Sequence, residues 1–170
     1  MTSSIDHYNK EKYGKINRSR RDGILYFINK KELLVLDIGC NDGTLGEIIK
    51  KEKKAIVHGV DISTVAIKKA EKKLDSVHVF DIVGDVDFPV GINDKKYDVI
   101  VMSEVLEHLF NPESVLEKIK KISHRETKVI ITVPNILFWK SRINILKGNF
   151  EYSEEGLMDI GHIHFFSWKV

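Results

Sequence analysis

Residues Leu33–Gly46, LLVLDIGCNDGTLG, constrain this chain more than any other stretch. The apolar run Leu33–Leu36 reads as a buried strand that ends in Asp37. Gly39 and Gly43 then bracket Cys40, Asn41 and Asp42 in a tight turn. From Gly43 to about Lys53 the pattern turns helical. Leu45, Ile48 and Ile49 face inward, and lysines gather at the C-terminal end, where the helix dipole favours them. A strand that runs through a glycine turn into a helix brings backbone N–H groups and a helix N-terminus against a ligand. α/β folds hold nucleotides in this way.

The rest of the chain repeats the alternation. Ala55–Ile62 predicts a second strand, and Ser63 is the N-cap of a helix over Thr64–Leu74. Val77–Phe80 is a short third strand, Tyr97–Met102 a fourth, and Lys128–Val133 a fifth that Pro134 halts. Asn111-Pro112 opens a helix that runs to about Ser123. Upstream, Glu11 to Asn29 is helical, with Tyr13, Ile16, Ile24, Leu25, Phe27 and Ile28 inward. Downstream, Asn135–Lys147 is amphipathic, with Ile136, Trp139, Ile143 and Leu146 on one stripe. Residues 1–10 are polar, Asp81–Lys96 is an acidic loop, and Gly148–Val170 is rich in Gly, His and aromatics without a period.

Strands alternating with helices give βαβ units and a parallel sheet, and right-handed crossovers put the ligand crevice at the carboxyl ends of the strands. With 170 residues the chain is expected to be one domain. It divides into a helical segment over 1–30, a cofactor-binding core over 31–134 and a substrate-side lid over 135–170. The formal charge of +2 does not by itself call for nucleic acid. The lysines of Lys50–Lys54 and Lys68–Lys73 read as solvated helix faces. One cysteine, Cys40, excludes an internal disulfide and fits a reducing compartment. No apolar run reaches the roughly 18–20 residues of a membrane span, and the N-terminus has no apolar signal region. A cytoplasmic domain with no membrane partner is expected.

Which nucleotide the crevice takes follows from its acids. Asn41-Asp42-Gly43-Thr44-Leu45-Gly46 fits a dinucleotide G-x-G-x-x-G only with Asn41 in place of the first glycine. A carboxylate at Asp37 would repel a pyrophosphate and suit a cationic group. Asp61 closes the second strand, where an acid accepts hydrogen bonds from both ribose hydroxyls; dinucleotide sites share such an acid, so Asp61 alone does not decide. The ligand so described has an adenosine, a cationic amino acid moiety and no phosphate.

On VLDIGCNDGTLGE, GVDIS, YDVIVMSEVLEHLFNPESVL and VIITVPN, in order from Val35 to Asn135, the chain resembles the class I S-adenosylmethionine-dependent methyltransferases. The tail after Asn135 resembles their small-molecule and lipid-quinone branch, which includes relatives of the methionine-biosynthesis W proteins. The resemblance implies a Rossmann-like, doubly wound α/β fold, a mainly parallel sheet in the order 3-2-1-4-5 and helices on both faces. It implies S-adenosylmethionine held by Asp37, Gly39, Gly43 and Asp61, with Cys40 and Asn41 contributing backbone near the methionine part. Ile62 would pack on the adenine, and Ser103 would lie beside the reactive methyl. An acid-plus-apolar pair after the third strand reads the adenine edge; spacing favours Asp81-Ile82 over Gly84-Asp85. Two departures stand out. Asn41 occupies the family's central glycine position and needs a positive φ. The chain also stops at Val170, where such domains continue into an antiparallel hairpin, so that hairpin is expected to be missing.

Glu104, Glu107 and His108 follow the fourth strand, and one helical turn could present all three to a divalent cation such as magnesium. Some methyltransferases acting on catechol-like quinone precursors or RNA 3′ ends use a similar cluster, in which the metal acidifies the attacking hydroxyl. Alternatively His108 is a general base without metal, or Glu107-His108 braces the loop. His162 and His164 belong to a loop over the same crevice, as a substrate contact, base or further metal ligand, or as a packed corner with Phe165, Phe166 and Trp168. Phe138, Trp139, Phe150 and Tyr152 suit an aromatic or lipid-like small-molecule acceptor. The reaction expected is in-line displacement at the sulfonium methyl. The rivals are a methyltransferase-like binding domain without catalysis and a nicotinamide-dependent oxidoreductase.

Overall fold

The computed structural model describes residues 15–31, 33–84, 86–149 and 158–167, so Tyr13, Asp85, Phe150, Tyr152 and Trp168 lie outside the described residues. In chain order come α1 (Arg18–Phe27), β1 (Leu34–Ile38), α2 (Thr44–Lys53), β2 (Ile56–Asp61), α3 (Thr64–Ala70) and β3 (Ser76–Val79). There follow β4 (Tyr97–Ser103), a 3-10 turn (Leu106–His108), α4 (Pro112–Lys121), β5 (Ser123–Thr132) and α5 (Trp139–Leu146). The strands form one sheet in the order β3-β2-β1-β4-β5, and every ladder in it is parallel.

Alternation along the central strands builds two cores. Val35, Val99 and Val101 point to the face covered by Ile24 of α1 and Ile28 just after it, Ile49 of α2 and Ile67 of α3. Leu36, Ile38, Ile100 and Met102 point to the other face, under Val115 and Ile119 of α4 and under Phe88 and Ile92 from the β3–β4 loop. Each such fully buried aliphatic side chain contributes about 1.5–3 kcal/mol. β1 and β4 are therefore apolar on both sides, as buried parallel strands are. Asn17, Ser63 and Asn111 cap their helices by accepting hydrogen bonds from the N–H groups of Arg20, Ala66 and Ser114.

Four expectations change. α1 begins at Arg18 under the Asn17 cap, and Phe27 is exposed because Ile24 and Ile28 take the inward stripe. α3 ends at Ala70, although Leu74 remains buried. β5 starts five residues early, at Ser123, after a register shift between Tyr97 and Val99. Its first half, SHRET, has no apolar alternation to reveal it. α5 starts at Trp139 and buries none of its residues.

Candidate functional site

The carboxyl ends of β1 and β2 carry the glycine turn. Gly39, Asn41 and Gly43 have φ of 73°, 49° and 76°, so Asn41 adopts the positive φ that its position demands. The turn is closed by its own donors. The N–H groups of Gly39 and Cys40 donate to the Val60 carbonyl at 2.8 and 3.1 Å, and that of Gly43 donates to the Cys40 carbonyl at 2.9 Å. The Asn41 N–H donates to Asp61 Oδ2 at 2.8 Å, and Asp61 Oδ1 accepts from the Ser63 N–H at 2.8 Å. Expected to face a ligand, these N–H groups are instead spent on the protein, as a phosphate seat would not allow.

The groups the turn offers are carboxylates. Asp37 is buried and its Oδ2 accepts no hydrogen bond. Burial, and secondarily the charge of Asp61, push its carboxyl up to about 7. Gly46 of α2 packs closely here, since a Cβ there would meet Leu74 Cδ2 at 2.7 Å and Val57 Cγ1 at 3.1 Å. Burial also raises Asp61, against the backbone hydrogen bonds that lower it. Those bonds, from the backbone of Ser63, Asn41 and Ile62, fix the Asp61 carboxylate at the end of β2. Cys40 is buried and its thiol is pushed up by burial and by Asp37, so it is no nucleophile. Ile62 is half-buried beside Asp61. Asp81 is exposed, accepting from the Val83 N–H at 2.9 Å, and Ile82 is buried. Lys118 of α4 donates to the carbonyls of Ile82 and Gly84 and so fastens this loop.

At the ends of β4 and β5 a second group gathers. The 3-10 turn carries Glu107 and His108, and the 158–167 strap crosses it, its Ile163 and His164 N–H groups donating to the Glu107 carbonyl at 2.9 and 3.1 Å. His162 thereby faces Glu107, with Nε2 4.0 Å from Oε1. Its ring centroid lies 4.8 Å from that of His108. His108 Nδ1–H donates to the Gly161 carbonyl at 2.9 Å, which puts the lone pair of a neutral ring on Nε2. Glu107 is 0% exposed, neither carboxylate oxygen has a hydrogen bond, and burial pushes it up to about 7. One ligand atom from each of Glu107, His108 and His162 falls within 4.8 Å of the others.

Glu104 departs from the cluster its spacing suggested. Its backbone is left-handed at φ 58°, because only Leu106–His108 form the turn. Its carboxylate instead meets Arg20 Nη2 at 3.1 Å and accepts from Thr132 Oγ1 at 3.3 Å. Ser103 Oγ lies 3.1 Å from Thr132 Oγ1. Between them opens a cleft of about 710 Å³ lined by Asn17, Ser19 and Arg20 of the α1 end, Glu104 and Thr132 of the sheet, and Asp159 and His162 of the strap, among others. Sequence reasoning missed Arg20 and Asp159. A basic RSRR run at a helix start was the only trace of the first, and the second lies in a segment without periodicity. His164 turns from the cluster toward Phe166, ring centroids 6.3 Å apart.

The profile of the methyltransferase-domain family matches residues 7–169. The chain belongs to that family. A ubiquinone biosynthesis O-methyltransferase of Glaesserella parasuis serovar 5 (strain SH0165) is 34% identical over 107 residues, which are 59% of this chain and 45% of that one. An mRNA cap guanine-N(7) methyltransferase of Schizosaccharomyces pombe (strain 972) is 31% identical over 131 residues, 68% of this chain and 36% of that one. Among solved structures, a SAM-dependent methyltransferase from Archaeoglobus fulgidus matches with a TM-score of 0.64 at 26% identity, covering 89% of this chain and 61% of that one. The plantazolicin methyltransferase BpumL in complex with SAH matches at 0.57 and 27%, covering 76% and 48%. The methyltransferase domain described here thus spans less than half the length of these curated relatives. Among its described residues, no helix is long and apolar enough to cross a membrane.

Proposed function

We propose that this domain binds S-adenosylmethionine and transfers its methyl group to a small-molecule acceptor held in the cleft beside Arg20, Glu104 and His162. The observation that carries the reading is Asp37, a buried carboxylate with an unpartnered oxygen under a turn whose N–H groups are already spent. Such a seat favours a cationic amino group and disfavours the pyrophosphate of a nicotinamide dinucleotide. The residues present fit the donor. Asp37 takes its amino group, Asp61 its ribose hydroxyls, Ile62 and Ile82 the adenine faces and Asp81 the adenine edge. Gly39, Cys40, Asn41 and Gly43 shape the turn around the methionine part, and Ser103 borders the methyl.

Bound S-adenosylmethionine supplies a methyl group already activated on a sulfonium. The chain's work is to position the acceptor and remove its proton. His162 accepts that proton at Nδ1, with Nε2–H toward Glu107 Oε1, and the Glu107 carboxylate stabilises the imidazolium that forms. His108, fixed by the Gly161 carbonyl, holds the His162 ring in place. Glu104 pairs with Arg20 and thereby anchors α1 as the cleft wall.

A second reading is favoured by the two unpartnered oxygens of buried Glu107. Glu107, His108 and His162 would hold a divalent cation such as magnesium, which would acidify an acceptor hydroxyl. Incubating the chain with labelled S-adenosylmethionine and a panel of hydroxyl and amine acceptors tests both. Transfer that survives chelation and is lost in Glu107→Gln supports the base. Transfer lost on chelation and restored by magnesium or manganese supports the cation. Failure to bind S-adenosylhomocysteine would overturn the whole reading.

A further inference from the structure

The stripe that the sequence marks on α5 faces the wrong way for a core. At 3.6 residues per turn Trp139, Ile143 and Leu146 share one face, and they are 58%, 41% and 85% exposed. Ser141, on the opposite side, is the half-buried residue. The helix buries none of its residues, Ile145 beside Ser141 is 43% exposed too, and the apolar stripe faces outward. Leu137 and Phe138, just before it, are exposed as well. Burying such a stripe is what normally stabilises a short helix, so its outward face calls for a partner.

The charges around the stripe identify that partner. On the helical wheel Arg142 borders the stripe on one side and Lys140 and Lys147 on the other. Residues 136–149 contain these three cations and no acid. Lys140 Nζ stands 5.5 Å from the Trp139 ring centroid. Apolar side chains with an aromatic, flanked on both sides by long cations, match a surface whose interior is apolar and whose rim is anionic. A protein groove would need matching acids at three separate points, whereas an anionic bilayer presents them everywhere.

We propose that α5 docks the domain peripherally on an anionic lipid surface. Ile160 and Ile163 of the strap, which is bridged through Phe166 to Asn135 ahead of α5, are exposed as well. The contact is superficial and needs no membrane span. It also stands apart from the methyl-transfer reading, because no residue of the stripe lines the cleft beside Arg20 and Glu104, and Trp139, which the sequence offered to an acceptor, is 58% exposed.

Co-sedimentation of the full chain with phosphatidylcholine vesicles, with and without phosphatidylglycerol, tests this. The chain should partition onto the phosphatidylglycerol vesicles, stay off pure phosphatidylcholine and detach progressively with salt. Each cation is worth about fivefold in partitioning, so K140E, R142E and K147E together should weaken it on the order of a hundredfold. W139S with L146S should also release the domain while its circular dichroism spectrum stays unchanged, since neither side chain is buried. No vesicle binding, equal binding to both vesicles, or full binding by the triple charge variant would overturn the proposal. So would a concentration-dependent dimer that L146S dissolves without any vesicle binding, which would assign the stripe to a second copy.

Discussion

The two halves of the crevice are built in opposite ways. At the ends of β1 and β2, residues within one turn of each other hold the site together, and even the long-range bond from Asn41 to Asp61 joins neighbouring strands. At the ends of β4 and β5, Glu107 meets His162 and Arg20 meets Glu104, pairs separated by more than fifty residues. The first half is a rigid local motif with its backbone donors satisfied. The second is an assembly of α1, the 3-10 turn and the strap. It leaves both carboxylate oxygens of buried Glu107 without hydrogen bonds, where the first half leaves only one of Asp37. The proposed donor seat thus rests on local contacts, and the proposed acceptor cleft on contacts between distant segments.

The two halves meet where Gly39 lies against Val105. A Cβ at Gly39 would sit 2.6 Å from Val105 Cγ2, and φ there is 73°. Gly39→Ala should cost about 2–4 kcal/mol of stability and most of the affinity for S-adenosylhomocysteine, by thermal melts and titration. Val105→Ala in the same chain should restore part of it, whereas no recovery would mean that the backbone alone dictates the glycine.

Glu107→Gln should split stability from function. A carboxyl raised to about 7 favours the folded state below its unfolded value and loses that advantage as pH rises through about 7. The variant should match the wild type near pH 4. By pH 8 it should be more stable by about 1–3 kcal/mol and inactive in transfer. A destabilised Gln variant at pH 8 would mean that Glu107 has a partner when folded.

Asp37 sharpens the donor side. Its carboxyl, near 7, should ionise across neutral pH, so affinity for S-adenosylhomocysteine should rise up to about tenfold from pH 6 to 8. Asp37→Asn should flatten that slope, and a slope that survives would place the amino group elsewhere. Arg20→Ala should have the smallest effect. A partly exposed pair contributes about 0–1 kcal/mol, so the melting temperature and donor affinity should hardly move while the KM of the acceptor rises. A loss of donor affinity instead would join the two halves into one site.

Legibility follows the same division. Leu33–Gly46 could be read because its strand, glycines and cap are dictated by neighbours in sequence, and Gly39, Asn41 and Gly43 take the conformations their types suggest. The strand order came with the family resemblance of the motifs, while the single hand of parallel crossovers placed the crevice. The N–H groups of the turn were misjudged, because three of them find acceptors on another strand, the Val60 carbonyl and the Asp61 carboxylate. Glu107, His108 and His162 lie together as the sequence suggested, yet Glu104 was not separable from them by spacing. The left-handed backbone at Glu104 and the reach of Arg20 are tertiary facts. The stripe on α5 was visible, but periodicity states which residues share a face and never which way the face points.

The central claim, that the glycine turn with Asp61 seats the adenosine of a methyl donor, is tested most directly by calorimetric titration of S-adenosylhomocysteine into the wild type and Asp61→Asn. Saturable one-to-one binding by the wild type is expected, weakened about a hundredfold in the variant, the effect of losing charge-assisted hydrogen bonds to two hydroxyls. No binding by the wild type, undiminished binding by the variant, or binding of NADH in its place would contradict it.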